Sequence, residues 1–226
     1  IYAAILPAML MCACCQDTGN DIHQALFNDP KFPDAVSARK NDPAQCVQVK
    51  VKYQPGNLGV DLDAIDINRG LVVKAILPDG QLAEWNKTNP DSAIRPYDKI
   101  FKVNGKVGTV QELESFIVSS SPDLHLEFRR PQRFEAKLRR PGSLGVRLHY
   151  KKSSMGVLVS EVLEDGLATV WNINNPTRAI AAGDRILEVN GEALSPEEMV
   201  EKLSSEEEVS LLVLHYSQDP IPIRGI

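Results

Sequence analysis

Cys12, Cys14 and Cys15 lie within four residues of one another, the densest grouping of reactive side chains in the chain. Thiols so placed suit S-acylation, where two or more acyl chains anchor stably and one does not. They also suit a soft metal, but no histidine or further cysteine nearby completes a set of four ligands. No glycine follows Met11, so a myristoylation signal is absent. Two other readings stay open: Ile1 to Met11 as the tail of a longer apolar segment, or a leader of reactive thiols. The four histidines, His23, His125, His149 and His215, stand at unrelated positions. No Gly-x-Ser-x-Gly elbow or metal-ligand spacing occurs, so neither catalysis, a metal nor a cofactor is expected.

Composition narrows the partners. The formal net charge is −5, with 24% charged and 43% hydrophobic residues, ordinary for a soluble globular chain. A negative balance argues against nucleic acid as the main partner, which requires a clustered basic surface. Arg129, Arg130, Arg133, Lys137, Arg139 and Arg140 form one basic run, read as a solvated strand face. Its sharper alternative is contact with acidic lipid headgroups or with Glu206-Glu207-Glu208. Cys46 stands alone and neither repeat body, 55–129 or 141–215, contains a cysteine, which favours a reducing interior over a disulfide framework. The expected setting is cytoplasmic, tethered at the inner face of a membrane if the cysteines are acylated.

Residues 55–129 reappear at 141–215 in constant register, with 25 of the 75 aligned pairs identical. Gly59 and Gly145, Trp85 and Trp171, and Gly105 and Gly191 are each 86 residues apart. Solenoid repeats run at roughly 20–50 residues, so this period describes a small domain present twice. The predicted division is a leader and tether at 1–45, units at 46–130 and 133–217, and a tail at 218–226. Residues 16–45, rich in Asp, Asn and Pro, are expected to form a flexible tether. A link of only Arg129 to Arg133 predicts a fixed relative orientation of the units.

Each unit has a readable plan. Val47, Val49, Val51 and Tyr53 alternate with polar residues, the signature of a half-buried strand. Pro55-Gly56-Asn57 forces a turn, Leu58-Gly59-Val60 starts a second strand, and Leu71 to Leu77 is a third. A short helix around Leu82 and Trp85 must end at Asn89-Pro90. Lys99 to Val103 reads as a strand closed by Asn104-Gly105, a type I′ turn pair. Thr109 with Glu112 forms a capping box for a helix carrying Val110, Leu113, Phe116 and Ile117 on one stripe. Leu124, Leu126 and Phe128 alternate as the last strand. The second unit repeats this from Phe134 onward, with Ser195 and Glu198 as its capping box. The fold class is mainly β with α (α+β): two small, partly open barrels, each with two helices and an unpaired strand edge.

These residues resemble the PDZ domain family. The resemblance rests on Asn57-Leu58-Gly59-Val60 and Ser143-Leu144-Gly145-Val146, on the glycine step into the first helix, and on Gly183-Asp184-Arg185-Ile186-Leu187-Glu188-Val189-Asn190-Gly191. The counterpart of that last segment is Tyr97 to Gly105, in which Tyr97 replaces the glycine. The resemblance spans roughly residues 46–217 and implies two PDZ-like units.

It further implies that each unit binds a partner's C-terminal tail as an added strand between its second strand and second helix. The N–H groups of Leu58, Gly59 and Val60, and of Leu144, Gly145 and Val146, would then hold the terminal carboxylate. Leu58, Val60 and Ile117 would line one terminal pocket, and Leu144, Val146 and Leu203 the other. Val110 and Pro196 take the place where a histidine selects Ser or Thr, so an apolar ligand residue is expected there. Val200 belongs to the same helix stripe. Lys52 and either Arg139 or Arg140 would add a cation near the carboxylate. The competing readings are a structural or dimerising pair with closed grooves, and a substrate-selecting part of a larger enzyme.

Overall fold

The computed structural model describes residues 46–66, 70–120 and 122–216. The cysteine cluster, the tether and the C-terminal tail lie outside these residues. The first unit runs β1 (Cys46–Lys52), β2 (Val60–Asp63), β3 (Leu71–Ile76), α1 (Gln81–Thr88), β4 (Lys99–Val103), α2 (Val110–Val118) and β5 (Asp123–Arg129). The second runs β6 (Gln132–Arg139), β7 (Val146–His149), β8 (Val157–Val162), α3 (Leu167–Asn174), β9 (Arg185–Val189), α4 (Pro196–Ser205) and β10 (Glu208–His215). Each unit is one antiparallel five-stranded sheet, ordered β1-β5-β4-β3-β2 and β6-β10-β9-β8-β7. The α+β class and the doubling follow the sequence reading.

Local chemistry sets the element ends. Asn104 and Gly105 both have positive φ, and Val103 exchanges backbone bonds with Lys106, which closes the two-residue hairpin. Thr109 and Ser195 cap α2 and α4, with Glu112 and Glu198 completing both boxes. Helix α1 stops before Asn89-Pro90, and Pro90 opens a short 3-10 turn. Val49, Leu71, Val73, Leu113, Leu124, Leu126 and Phe128 fill the first core without measurable exposure.

The repeat register is not uniform. His125 and Ser210 occupy equivalent places opposite Asn104 and Asn190, a spacing of 85 rather than 86. Val49 and Ala136 are likewise equivalent through their partners Leu126 and Leu211, a spacing of 87. The gapless alignment therefore holds from the Gly59 loop through α2 and slips by one residue in the outer strands. Turn length between elements carries no side-chain period, so it left no trace in the alignment.

A third apolar cluster joins the units: Val72 and Tyr97 from the first, with Met155, Leu187, Leu214 and Tyr216 from the second. Beside it the Arg185 Nη1 donates to Asp63 Oδ2 at 2.7 Å and to the Met155 carbonyl at 3.1 Å. The Met155 N–H also donates to Asp63 Oδ2, at 3.0 Å. Burial alone would raise the Asp63 carboxyl, but Arg185 and the N–H groups of Met155 and Ile65 hold it below its ordinary value. The Tyr216 hydroxyl donates to the Tyr97 carbonyl at 2.8 Å. Tyr97 adopts a φ of 75°, a costly conformation for a bulky residue, and its ring packs into this joint. The link itself is tied down, because Arg130 forks onto Asp98 at 3.0 and 2.9 Å.

Lys99 Nζ lies 3.9 Å from the centre of the Tyr216 ring in the same joint. Burial pushes the Lys99 ammonium down to about 8, with Asp66 opposing and Arg185 reinforcing. The folded chain then holds fewer protons than the unfolded one between pH 8 and the ordinary lysine value of about 10.4. Stability therefore rises with pH through that window. Above about pH 10 the buried Tyr216 hydroxyl, whose pKa burial raises, reverses the trend. Urea unfolding should show a gain on the order of 1–2 kcal/mol between about pH 7.5 and 9.5. Lys99→Met should flatten that rise; a wild-type profile already flat would refute the assignment.

Candidate functional site

The loop from Gln54 to Gly59 and the start of α1 are built around each other. Gly59 has a φ of 70°, and a Cβ there would stand 2.3 Å from the Gly80 Cα. The second unit repeats this with Gly145 (φ 71°) against Gly166, where a Cβ would meet the Gly166 Cα at 2.7 Å. Two glycine backbones cross at contact distance in each unit. That crossing lets Gln81 and Leu82 donate to the carbonyls of Asn57 and Leu58 at 2.9 and 3.1 Å. Gln81 also ties the loop to β1, its amide donating to the Lys52 carbonyl and accepting from the Gln54 N–H.

The result is a loop that presents donors. The N–H groups of Leu58 and Gly59 have no partner among the described residues. In the second loop the Gly145 N–H donates locally to Ser143 Oγ at 3.3 Å. Val60 and Val146 open β2 and β7, and each of these strands has a sheet neighbour on one side alone among the described residues. An edge strand behind a donor-rich loop can accept an extended chain by main-chain hydrogen bonding.

The side chains expected to line the grooves divide by unit. Leu58, Val110 and Ile117 are 3%, 5% and 1% exposed, so the first pocket floor is tightly packed. Leu144, Val146 and Val200 are half-buried, while Pro196 and Leu203 are buried like Val110 and Ile117; with Val60 half-buried like Val146, the units differ here at Leu58 and Leu144. The half-buried Glu114 stands where the second unit has Val200, and burial raises its carboxyl. Trp85 and Trp171 pack against the two cores, and the Trp171 indole donates to the Arg178 carbonyl. A separate cleft of about 420 Å³ lies behind the first loop, lined by Lys52, Asn57, Gln81 and Trp85 among others.

The expected cations have varied duties. Lys52 is exposed and bonds Asp123 across the strand pair at 2.6 Å. Arg139 occupies the equivalent strand position opposite Glu208. Arg140 donates to the carbonyls of Leu203, Ser204 and Glu206 at 2.9–3.1 Å, closing the C-terminal end of α4 beside the loop. Arg133 and Lys137 meet Glu188 and Glu135, so much of the basic run is engaged within the protein.

A glycine-crossed donor loop, an edge strand and a boxed helix on a five-stranded sheet recur in both units. Residues 134–214 match the PDZ domain family, so the second unit is a PDZ domain by that match. The first unit repeats the same sheet order, glycine crossing and capping box and is PDZ-like. Among solved structures the chain is similar to the tandem PDZ45 of INAD in complex with an NG2 peptide. That match has 17% identity, 83% of this chain and 97% of the other covered, and a TM-score of 0.34. A second INAD PDZ45 complex, with NORPA CC-PBM, matches at 16% identity over 78% and 94%, TM-score 0.34. A choanoflagellate SHANK1 PDZ domain bound to a GIRK3 peptide matches at 24% identity over 38% and 93%, TM-score 0.32. No curated protein matches the chain.

No helix among the described residues is long and apolar enough to cross a membrane. No group of three or more His, Cys, Asp or Glu among them could hold a metal.

Proposed function

We propose that the chain is a non-enzymatic adaptor that binds the C-terminal tails of partner proteins by strand addition to β2 and β7. The observation that carries this reading is the pairing of an open strand edge with a loop that, in the first unit, leaves the Leu58 and Gly59 N–H groups without an acceptor among the described residues. Main-chain bonding to the edge gives affinity, and the pockets beside Val110–Ile117 and Pro196–Leu203 choose the side chains. The ligand's last residue is apolar, and so is the residue two before it. The solved PDZ structures in complex with peptides support the reading by analogy. The described residues hold one cysteine, the free and exposed Cys46 at the start of β1, which fits an intracellular setting without a disulfide framework, with the Cys12, Cys14 and Cys15 cluster as an acylation tether.

The competing reading, a structural pair with closed grooves, draws on the near-complete burial of Leu58, Val110 and Ile117. Screening the full chain against randomised C-terminal peptides, with every hit remade as the amide, separates the two. Amidation removes the charge the loop recognises and should weaken binding roughly tenfold or more, since hydrogen bonds to charged groups contribute about 1.5–3 kcal/mol. Hits indifferent to amidation, or none, would favour the structural pair.

A further inference from the structure

A strand added to β2 with its carboxylate at Leu58-Gly59-Val60 runs antiparallel, so its upstream residues travel toward Asp63. That end of β2 belongs to both units. Asp63 Oδ2 receives the Met155 N–H and the Arg185 guanidinium at 3.0 and 2.7 Å, which seats the loop between β7 and β8 against it. Leu62, Ile65 and Lys74 of the first unit and Lys151 and Ser153 of the second then line one shallow crevice.

The charges in this crevice are unequal. The side chains of Asp63 and Arg185 pair with one another and are almost unexposed, 5% and 1%. Lys74 lies 3.5 Å from Asp61 on the neighbouring strand. Lys151 is exposed and its ammonium meets no carboxylate among the described residues. Its backbone is fixed, because Lys151 N–H donates to Ser154 Oγ at 2.7 Å and Ser154 N–H returns to the Lys151 carbonyl at 2.9 Å. A held cation stands where an incoming chain leaves β2, and the chain as a whole is acidic.

We propose that the first groove is a composite site, in which the second unit's Lys151 loop reads an acidic side chain upstream in the ligand. The inference rests on the peptide-binding reading above. β2 is four residues long, so with about 3.3 Å per residue the acidic side chain falls about four to six positions before the carboxylate. The selected ligand is thus a tail with an apolar end and Asp or Glu upstream of it. The first unit alone lacks this selectivity, because the cation comes from the second.

The test uses the full chain and decapeptides ending in valine, with Glu-Glu, Ser-Ser or Lys-Lys at the fifth and sixth positions from the end. Binding is followed by the amide chemical shifts of Val60 and Leu62, which assign it to the first groove. The Glu peptide should bind roughly three- to fivefold tighter than the Ser peptide at low salt, the range of an exposed ion pair, and this advantage should shrink as salt screens it. Lys151→Glu should invert the order, Lys151→Gln should abolish it, and the remote surface change Lys137→Glu should leave it unchanged. Carboxylate-dependent binding with no acidic preference, or a preference indifferent to Lys151, would overturn the composite site and leave peptide binding intact. No shift at Val60 and Leu62 with any peptide would overturn both.

Discussion

Arg185→Leu is expected to lower the stability of the chain by about 3–5 kcal/mol, because it strands a buried carboxylate. Asp63 is 5% exposed and has two partners for its Oδ2, Arg185 and the Met155 N–H. Removing the guanidinium leaves only two neutral donors, the N–H groups of Met155 and Ile65, against a charge that burial penalises. Asp63→Leu is the mirror case, and there the loss is larger still: Arg185 is 1% exposed, its Nη2 already has no hydrogen-bond partner among the described residues, and it cannot shed its proton. Leucine at both positions should recover most of the loss, since a buried pair gains little over well-packed apolar groups.

The pair also has a pH signature. Its folded carboxyl titrates below the ordinary aspartate value, so its contribution is present above that value and is lost as pH falls through the folded pKa. The wild type should therefore lose more stability on acidification than the double leucine variant. The two tryptophans, Trp85 in the first unit and Trp171 in the second, report each unit's unfolding by fluorescence. In the wild type both should unfold in one transition. In Arg185→Leu the transitions should separate as the joint loosens. A single unaltered transition would mean that the pair does not couple the units.

This joint was largely hidden in the sequence, whereas the units were not. Periodicity exposed β1, β4 and the α2 stripe, and the Asn-Gly turns and Ser or Thr caps fixed where elements stop. Those signals are local, arising from side chains within a few residues of one another. Asp63 and Arg185 are 122 residues apart, and nothing in either neighbourhood marks them as partners. Two clues were present. Lys99 and Arg185 are cations at the start of β4 and β9, and Tyr97 stands where the second unit has Gly183. The structure gives that tyrosine its reason: a left-handed backbone with a large ring fills the joint, which glycine could not. The groove was legible as a loop and a helix stripe, but its openness was not. Whether Leu58 is covered depends on how closely α2 and β2 pack across the core, a tertiary distance with no period in the chain.

Gly80→Ala should destabilise the first unit by about 3 kcal/mol or more, the upper end of what overpacking a tight site costs. Its φ is −98°, a conformation alanine adopts freely, so backbone preference is not the obstacle. The added Cβ would stand 2.2 Å from the Gly59 Cα and 2.9 Å from its nitrogen, both main-chain atoms that no rotamer change can move. Relief requires the donor loop to shift away from α1, breaking the Gln81 and Leu82 bonds to Asn57 and Leu58. Gly166→Ala repeats the experiment in the second unit, where a Cβ meets the Gly145 Cα at 2.4 Å and φ is 149°. Gly105→Ala is the control: its Cβ meets nothing within 4 Å, and only its left-handed φ of 75° opposes it, a cost of about 1–2 kcal/mol. Because stability and loop position change together, Gly59 and Gly145 substitutions cannot by themselves assign ligand binding to a loop. Amidated peptides can, since they alter the ligand's charge and leave the glycine crossing intact. If Gly80→Ala were no worse than Gly105→Ala, the crossing would not be what holds the loop, and the donors would need another support.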